Sequence, residues 1–165
     1  MEDSVVERLI LMPLAHPGPT RVLRQSDFDH ESPMLSPDGR WLAFASRESG
    51  SWQVHVARFD TTVAGARQVT RGGLTSSFDW AWIRWSEAGR EILYRAGDSV
   101  MRVPFNPATG TSGAPALLLR TPHFVVDVAG DGRRLLALAT PVETAPRRIR
   151  VVTNWLAELE AKHER

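Results

Sequence analysis

The chain is dominated by short apolar segments that carry the two-residue period of β-strands. In the segment Trp52–Phe59, apolar and polar residues alternate, so that the first, third and fifth side chains share one face. Two shorter apolar segments, Pro33–Ser36 and Trp41–Ser46, come before it, and the turn sequences Pro-Asp-Gly and Ser-Gly-Ser separate the three. The pattern therefore predicts an antiparallel meander over residues 32–59.

Copies of this unit recur twice downstream. The sequence Ser-Pro-Asp-Gly-Arg at 36–40 aligns with Ser-Glu-Ala-Gly-Arg at 86–90 and with Ala-Gly-Asp-Gly-Arg at 129–133. The shared glycines are 50 and then 43 residues apart, a period typical of a four-stranded propeller blade. The alternative is a β-sandwich with coincidental glycine turns, but three copies with matching flanks favour the repeat. The turn residues in this interpretation are Asp38, Gly39, Gly89, Asp131 and Gly132.

The same pattern predicts the remaining strands. Val5–Ala15 is assigned as a strand, although its charges also fit the 3.6-residue period of a helix over Glu2–Met12. Thr20–Gln25 is predicted as a short outer strand, and Ala66–Thr70 as the fourth strand of the first copy. The strands of the later copies are predicted at Trp82–Ser86, Glu91–Arg95, Val100–Phe105, Ala116–Arg120, Phe124–Val128, Leu135–Ala139 and Arg148–Thr153.

The predicted fold class is all-β: a partial β-propeller of about three four-stranded antiparallel blades with a short C-terminal helix. A single domain over 1–165 would contain a partial leading blade at 1–31, blades at 32–71 and 78–120, an incomplete blade at 121–155 and an amphipathic helix at 155–165. A ring needs at least about four blades, so two apolar blade faces would stay uncovered. We therefore expect either a homodimer that closes a six-bladed ring or a piece of a longer protein.

The first copy also carries a family resemblance. SPDGRWLAF, followed by a W-x-V-x-V strand, resembles the TolB-type β-propeller repeat. With the second copy WSxxGREILYRAGDxxMRVPF and the ending RIRVVTNWLAELEAKHER, the chain is similar to the propellers at the C-termini of some bacterial serine/threonine protein kinases. The resemblance covers nearly the whole chain, although Pro-Asp is missing at 87–88 and Ser-Pro at 129–130. The sequence contains no Gly-rich phosphate loop, His-Arg-Asp or Asp-Phe-Gly string, so kinase activity is not implied.

Composition narrows the function classes. The 165 residues are 24% charged with a net charge of +1, which suits one ordered domain and gives nucleic acid no electrostatic attraction. The absence of cysteine excludes disulfides and thiolate sites. The apolar run Leu9–Ala15 is short and interrupted by Pro13, so we predict neither a signal peptide nor membrane insertion, and expect a cytoplasmic location. Related kinase propellers, however, often lie beyond a membrane span.

Catalytic and metal sites are not predicted. The five histidines are far apart in sequence and none has a companion carboxylate at ligand spacing, so no metal or cofactor is expected. Ser36, Asp38 and His55 fall within one repeat, but no G-x-S-x-G elbow is present. Turn chemistry explains Ser36 and Asp38 better, and the protein is not expected to be an enzyme.

A cluster of tryptophans around residue 82 has two interpretations. Alternate members of the set Trp80, Trp82 and Trp85 could pack between blades, as could Trp41 and Trp52. Alternatively, aromatic and arginine residues could form a binding site at a mouth of the central channel, because such residues are favoured interface anchors. The candidates for that site are Phe78, Asp79, Trp80 and Arg84.

Two function classes follow. The first is a non-catalytic propeller module that binds a protein or peptide. The second is a regulatory or gating propeller of a multidomain enzyme, either kinase-linked or of the prolyl-oligopeptidase type. A remnant without a retained function is a third possibility.

Overall fold

The computed structural model describes residues 8–14, 18–24, 26–59, 63, 65–74, 76–77, 80–129 and 134–139. Within these ranges all regular structure is β-strand, in antiparallel sheets of two to five strands. The predicted all-β class is confirmed. The strands are β1 (Leu9–Leu11), β2 (Arg21–Arg24), β3 (His30–Leu35), β4 (Trp41–Ser46), β5 (Gln53–Arg58), β6 (Arg67–Gln68), β7 (Ser76–Ser77), β8 (Trp80–Ala81), β9 (Ile83–Trp85), β10 (Glu91–Ala96), β11 (Ser99–Asn106), β12 (Thr111–Ser112), β13 (Ala116–Arg120), β14 (Phe124–Val128) and β15 (Leu135–Leu138).

The first repeat forms a four-stranded meander in the order β3-β4-β5-β6, here called blade 1. Its first strand begins at His30, three residues before the predicted start at Pro33. The pairing register shifts between Glu31 and Met34, where Ser32 takes a positive φ of 50°. Proline cannot donate to the strand ladder, so the chain bulges around it and pairing continues on both sides.

The second repeat forms blade 2, in which β9, β10 and β11 are consecutive neighbours. The outer edge of β11 pairs with β12 at one end and with β13 at the other, so Gly113–Pro115 divides the outer strand into two pieces. The predicted strand Trp82–Ser86 is shorter in the structure, Ile83–Trp85. A hairpin of β7 and β8 precedes it and was not predicted, because two-residue strands carry no readable period.

The remaining described strands form one hairpin before blade 1 and one after blade 2. β1 pairs with β2, so the strand prediction holds at Leu9–Leu11 and the helix alternative is wrong there. β14 pairs with β15, as the third repeat predicts. The predicted strand Arg148–Thr153 and the helix at 155–165 lie outside the described residues, as do Asp131 and Gly132.

Three apolar clusters connect these units face to face. All six residues of β4 are buried, because both of its faces are covered. Trp41, Ala43 and Ala45 pack against blade 2, whereas Leu42 and Phe44 pack with the hairpin β1–β2. On its far side, blade 2 packs through Trp82 and neighbouring residues against β14–β15. Hairpin, blade 1, blade 2 and third repeat are thus stacked in sequence order, as blades are in a propeller.

Candidate functional site

The predicted channel-mouth residues fall at the start of blade 2. Phe78 and Asp79 lie outside the described residues. Trp80 is the first residue of β8, which pairs with β7, and Arg84 is the middle residue of β9. Trp80 therefore lies in the separate two-stranded sheet that precedes blade 2, whereas Arg84 lies in blade 2 itself, and their role in ligand binding stays a prediction.

Arg84 connects blade 2 to the third repeat. Its Nε donates to Oδ1 of Asp127 at 3.0 Å, and its Nη2 donates to the carbonyl oxygen of Val126 at 3.0 Å. The guanidinium carbon also lies 5.7 Å from the centre of the Trp82 ring. The backbone N–H of Val128, followed by Arg84, holds the pKa of Asp127 below its ordinary value. Arg84 is thus held by the protein itself in a defined orientation.

Three tryptophans bridge the junctions in the same way. Each indole Nε1–H donates to a backbone carbonyl of the neighbouring unit: Trp41 to Pro107 at 3.0 Å, Trp85 to Met34 at 2.9 Å and Trp82 to Val126 at 2.9 Å. All three side chains are buried, which confirms the prediction that they pack between blades. The polar N–H of a buried indole needs such a partner, so these bonds also fix the relative position of the blades.

The repeated turns are equivalent in their backbone bonds. In blade 1, Gly39 N donates to Ser36 O at 2.8 Å, and in blade 2, Gly89 N donates to Ser86 O at 2.8 Å. Both glycines have a positive φ, 69° and 63°, the left-handed region that glycine adopts without a steric penalty. In the third repeat, Ala129 N donates to the carbonyl of Arg134 at 2.8 Å, which matches the bond from Ser36 to Trp41. The alignment of the three copies is therefore confirmed at the turns that the structure describes.

Asp38 distinguishes the first turn from the second. Its Oδ1 accepts from the Ser36 hydroxyl at 2.6 Å and from the Arg40 backbone N–H at 3.1 Å, while its Oδ2 accepts from the Arg40 side chain at 2.8 Å. The hydroxyl of Ser36, together with the two groups of Arg40, lowers the pKa of Asp38 to about 2. The second turn has Ala88 at this position and lacks the carboxylate.

The same bonds explain why Ser36, Asp38 and His55 do not form a nucleophile–base arrangement. The Ser36 hydroxyl donates to Asp38 and accepts from the Trp41 backbone N–H at 2.9 Å, so both of its hydrogen-bonding functions serve the turn. The ring of His55 instead contacts the carbonyl of Gln53 through Nδ1, at 3.2 Å, and stacks on Phe44. As predicted, the hydroxyl and carboxylate belong to turn chemistry.

A partly buried polar cluster is the feature that the sequence did not reveal. It consists of Arg24, His30, Phe44, Glu48 and His55, and we call it the histidine cluster. The His30 ring meets the Phe44 ring edge-on at a centroid distance of 5.4 Å, and the His55 ring lies nearly parallel to it at 5.7 Å. Phe44 and His55 are directly opposite in the β4–β5 register, so a correct strand pairing was the only signal available.

The described residues contain neither a cluster of metal-ligating side chains nor a membrane-spanning helix. No group of three or more histidine, aspartate or glutamate side chains in the described ranges is placed to hold a metal ion. No helix that is long and apolar enough to span a membrane is present among the residues that the structure describes.

Comparison with known proteins places this geometry in a fold. No family model matches the chain, and no curated protein matches it in sequence. TolB from Acinetobacter baumannii superimposes with a TM-score of 0.58 at 16% identity, over 83% of this chain and 33% of that protein. The fold is a partial β-propeller. The periplasmic gluconolactonase PpgL of Pseudomonas aeruginosa is similar over 80% of this chain and 37% of its own length, with 20% identity and a TM-score of 0.47. The chain thus spans about one third of the length of TolB from Acinetobacter baumannii.

Proposed function

We propose that this partial propeller is a non-catalytic binding module for a protein or peptide, and that a second copy of the chain completes its ring. The observation that carries the proposal is the contrast in burial between the middle and the two ends of the blade stack. At both ends of the described stack, several apolar side chains are exposed.

The two terminal faces are both exposed. The face formed by the hairpin β1–β2 and the residues after β1 is here called the leading face, and the face of the third repeat the trailing face. At the leading face, the exposed apolar side chains are Ile10 (50%), Met12 (59%), Leu14 (99%) and Val22 (45%). At the trailing face they are Phe124 (38%), Leu136 (62%) and Leu138 (63%). Ile10 pairs with Val22 and Phe124 with Leu138, so exposed apolar side chains lie side by side on each face, as they do at interaction sites.

A second copy fits these faces because they are the two opposite sides of a blade stack. Inside the chain, the trailing side of blade 1 covers the leading side of blade 2, and the two form one apolar cluster. Under a two-fold axis along the channel, the leading face of each copy would meet the trailing face of the other, so that both junctions form together. An interface of the size of obligate dimers, about 2,000 Å² or more, is expected.

The binding role is supported by the residues at the start of blade 2. We infer that Trp80 and Arg84 would border the channel of a closed ring, and Phe78 and Asp79 are close to them in sequence. Aromatic and arginine side chains are the commonest anchors of protein interfaces. Arg84 is held by Asp127 and Val126, and such preorganisation reduces the entropy lost on binding.

Light scattering at micromolar concentration tests the ring closure. We expect the mass of a dimer for the unaltered chain and of a monomer for the double variant Leu136→Glu, Leu138→Glu. The control is Leu117→Glu, whose side chain is 49% exposed on the outer strand β13 and outside both terminal faces. A folded monomer of the unaltered chain, or equal dissociation of the control, would contradict the proposal.

Selection of peptides from a random display library on the purified dimer tests the binding role. We expect enriched peptides that lose affinity at least tenfold on Trp80→Ala and keep it on Trp52→Ala, because Trp52 packs against the cluster between the blades. The absence of enriched peptides, or an equal loss with both variants, would count against a channel-mouth site.

A further inference from the structure

The histidine cluster lies where the hairpin β1–β2 meets blade 1. Arg24 at the end of β2 forms an ion pair with Glu48 in the loop between β4 and β5, and its guanidinium carbon lies 5.8 Å from the centre of the Phe44 ring. His30 and His55 contact the same phenyl ring, from β3 and β5. Both histidines are almost inaccessible to solvent, with exposures of 3% and 4%. The cluster therefore connects the hairpin to three strands of the blade.

Hydrogen bonds constrain the protonation of His30. Nε2 of its ring lies 3.0 Å from the hydroxyl oxygen of Ser26, so this nitrogen has a hydrogen-bond partner. The other ring nitrogen, Nδ1, is buried and has no hydrogen-bond partner among the described residues. The protonated ring carries a proton on both nitrogens, so it would have a buried donor at Nδ1 without an acceptor, which is costly.

His55 has a similar constraint. Its Nδ1 lies 3.2 Å from the carbonyl oxygen of Gln53, an acceptor, so the neutral ring carries its proton on Nδ1. Protonation of Nε2 would create a cation that is almost inaccessible to solvent and lies beside the charge of Arg24. Two neutral imidazoles are therefore part of the folded arrangement.

The charged groups around the two rings come from every element packed on them. Arg24 on β2 faces both rings, Glu48 in the β4–β5 loop faces both, and Asp29 before β3 faces His30. Arg8 and Glu31 border the cleft of about 350 Å³ that also touches His30. Glu48 already forms an ion pair with Arg24, so its negative charge is partly neutralised before either histidine is protonated.

We propose that the histidine cluster is an acid-sensitive latch, which holds the hairpin β1–β2 against blade 1 when both imidazoles are neutral and releases it when they take up protons. Release is local because the hairpin is a two-stranded sheet of its own, which no strand pairing joins to blade 1 among the described residues. Val63 N donates to the Leu23 carbonyl at 3.1 Å, and Nη1 of Arg24 donates to the Val63 carbonyl at 3.4 Å. The apolar contacts of Leu9 and Leu23 also attach the hairpin.

The direction of the pH effect follows from proton linkage. Burial, as the largest cause, lowers the pKa of both histidines below the ordinary value of 6.5. The released state then binds more protons than the latched state, so the latch is fully stable above pH 6.5 and weakens as the pH falls below it. Each histidine that takes up a proton on release raises the released population by about tenfold per pH unit.

Amide hydrogen exchange between pH 7.5 and 5.0, corrected for intrinsic rates, measures this opening in the full chain. For the backbone of β1 and β2 we expect an opening constant that rises steeply below pH 6.5, by up to about 100-fold per pH unit for two protons. Blade 2 should show no such change. Measurement at two protein concentrations separates the latch from dissociation of a dimer, because release within one chain does not depend on concentration.

Substitution of each histidine shows how many protons are taken up on release. His30→Phe and His55→Phe should each reduce the dependence to about tenfold per pH unit, and together they should remove it. His123→Gln replaces an exposed histidine and should leave the dependence unchanged. If His30→Phe fails to fold, His55→Phe and the unaltered chain still decide the question. An opening constant that is the same at pH 7 and pH 5, or a dependence that His123→Gln removes, would overturn the latch.

Discussion

The junction between blades 1 and 2 and the two terminal faces are made from the same kind of surface, but only the junction is covered. At the junction, Phe105 lies edge-on to both Trp41 and Trp85, at centroid distances of 5.2 and 5.1 Å, and is 4% exposed. At the trailing face, Leu136 and Leu138 are each more than 60% exposed. The difference lies in the neighbour and not in the side chains.

The covered junction also shows what a completed ring requires. Apolar faces supply the area, and reciprocal indole bonds set the position: Trp41 donates into blade 2 and Trp85 donates into blade 1. The loop after β11 adds a further polar contact between the two blades, because the Gly110 carbonyl accepts a hydrogen bond from the Arg67 side chain. A junction between two copies would need comparable polar bonds at its rim.

The largest expected loss of stability comes from removing an aromatic side chain from the junction between blades 1 and 2. Phe105→Ala should lower the free energy of unfolding by about 3–5 kcal/mol, because a fully enclosed aromatic ring leaves a cavity. Leu138→Ala, on a side chain that is 63% exposed, should change it by less than about 0.5 kcal/mol in the monomer. Urea unfolding of both variants measures the difference, and similar losses would show that the trailing face is already covered.

A smaller difference in stability is expected between alanine substitutions at two glycines. Gly39 and Gly110 both have a positive φ, so alanine costs about 1–2 kcal/mol at either position. At Gly110 the added Cβ would also lie 2.1 Å from the Trp41 ring, whereas at Gly39 it meets nothing within 4 Å. Gly110→Ala should therefore be the more destabilising by about 1–3 kcal/mol, the usual cost of overpacking. Equal melting temperatures would contradict the packing of Trp41 under this loop.

The smallest expected effect is on the pKa of a carboxyl group in the turns of blades 1 and 2. Asp38 has a pKa of about 2, below its ordinary 3.8, so its contribution to stability is present above pH 3.8 and is lost as the pH falls towards 2. Ser36→Ala removes the first cause of the shift and should raise this pKa towards 3.8. Ala88→Asp should introduce a carboxylate with a lowered pKa in blade 2, since Ser86 and Arg90 match Ser36 and Arg40. Carboxyl NMR titration measures both, and an unchanged Asp38 pKa in Ser36→Ala would disprove the assigned cause.

The fold was predictable where the sequence encodes local geometry. Glycine at a left-handed position, followed by an apolar strand, identified the repeats, and Gly39 and Gly89 occupy that conformation in the structure. The predicted start of β3 was wrong because a proline usually marks the end of a strand. In the structure, a bulge accommodates Pro33 within the strand. β12 is two residues long, too short for any period.

The histidine cluster was not predictable because its members come from five separate segments. Arg24 and Glu48 are 24 residues apart, and only the packing of the hairpin on blade 1 brings them together. In the sequence, His55 is one polar residue of an alternating strand. Nothing indicates that the hairpin β1–β2 covers this side of the sheet. Arg84 was selected as a polar residue among aromatics, while its bonds to Val126 and Asp127 depend on contact with the next repeat.

Mixing two complementary variants tests most directly whether leading and trailing faces join head to tail. Ile10→Glu alters the leading face and Leu136→Glu the trailing face, so each variant alone has a charge in both junctions of its dimer. In a mixed dimer, both charges fall in one junction and the other is unaltered. With one variant isotope-labelled, native mass spectrometry should show mostly monomer for each variant alone and a predominant mixed dimer after combination. A folded, monomeric parent chain, or a mixture that stays monomeric while the parent dimerises, would contradict the account.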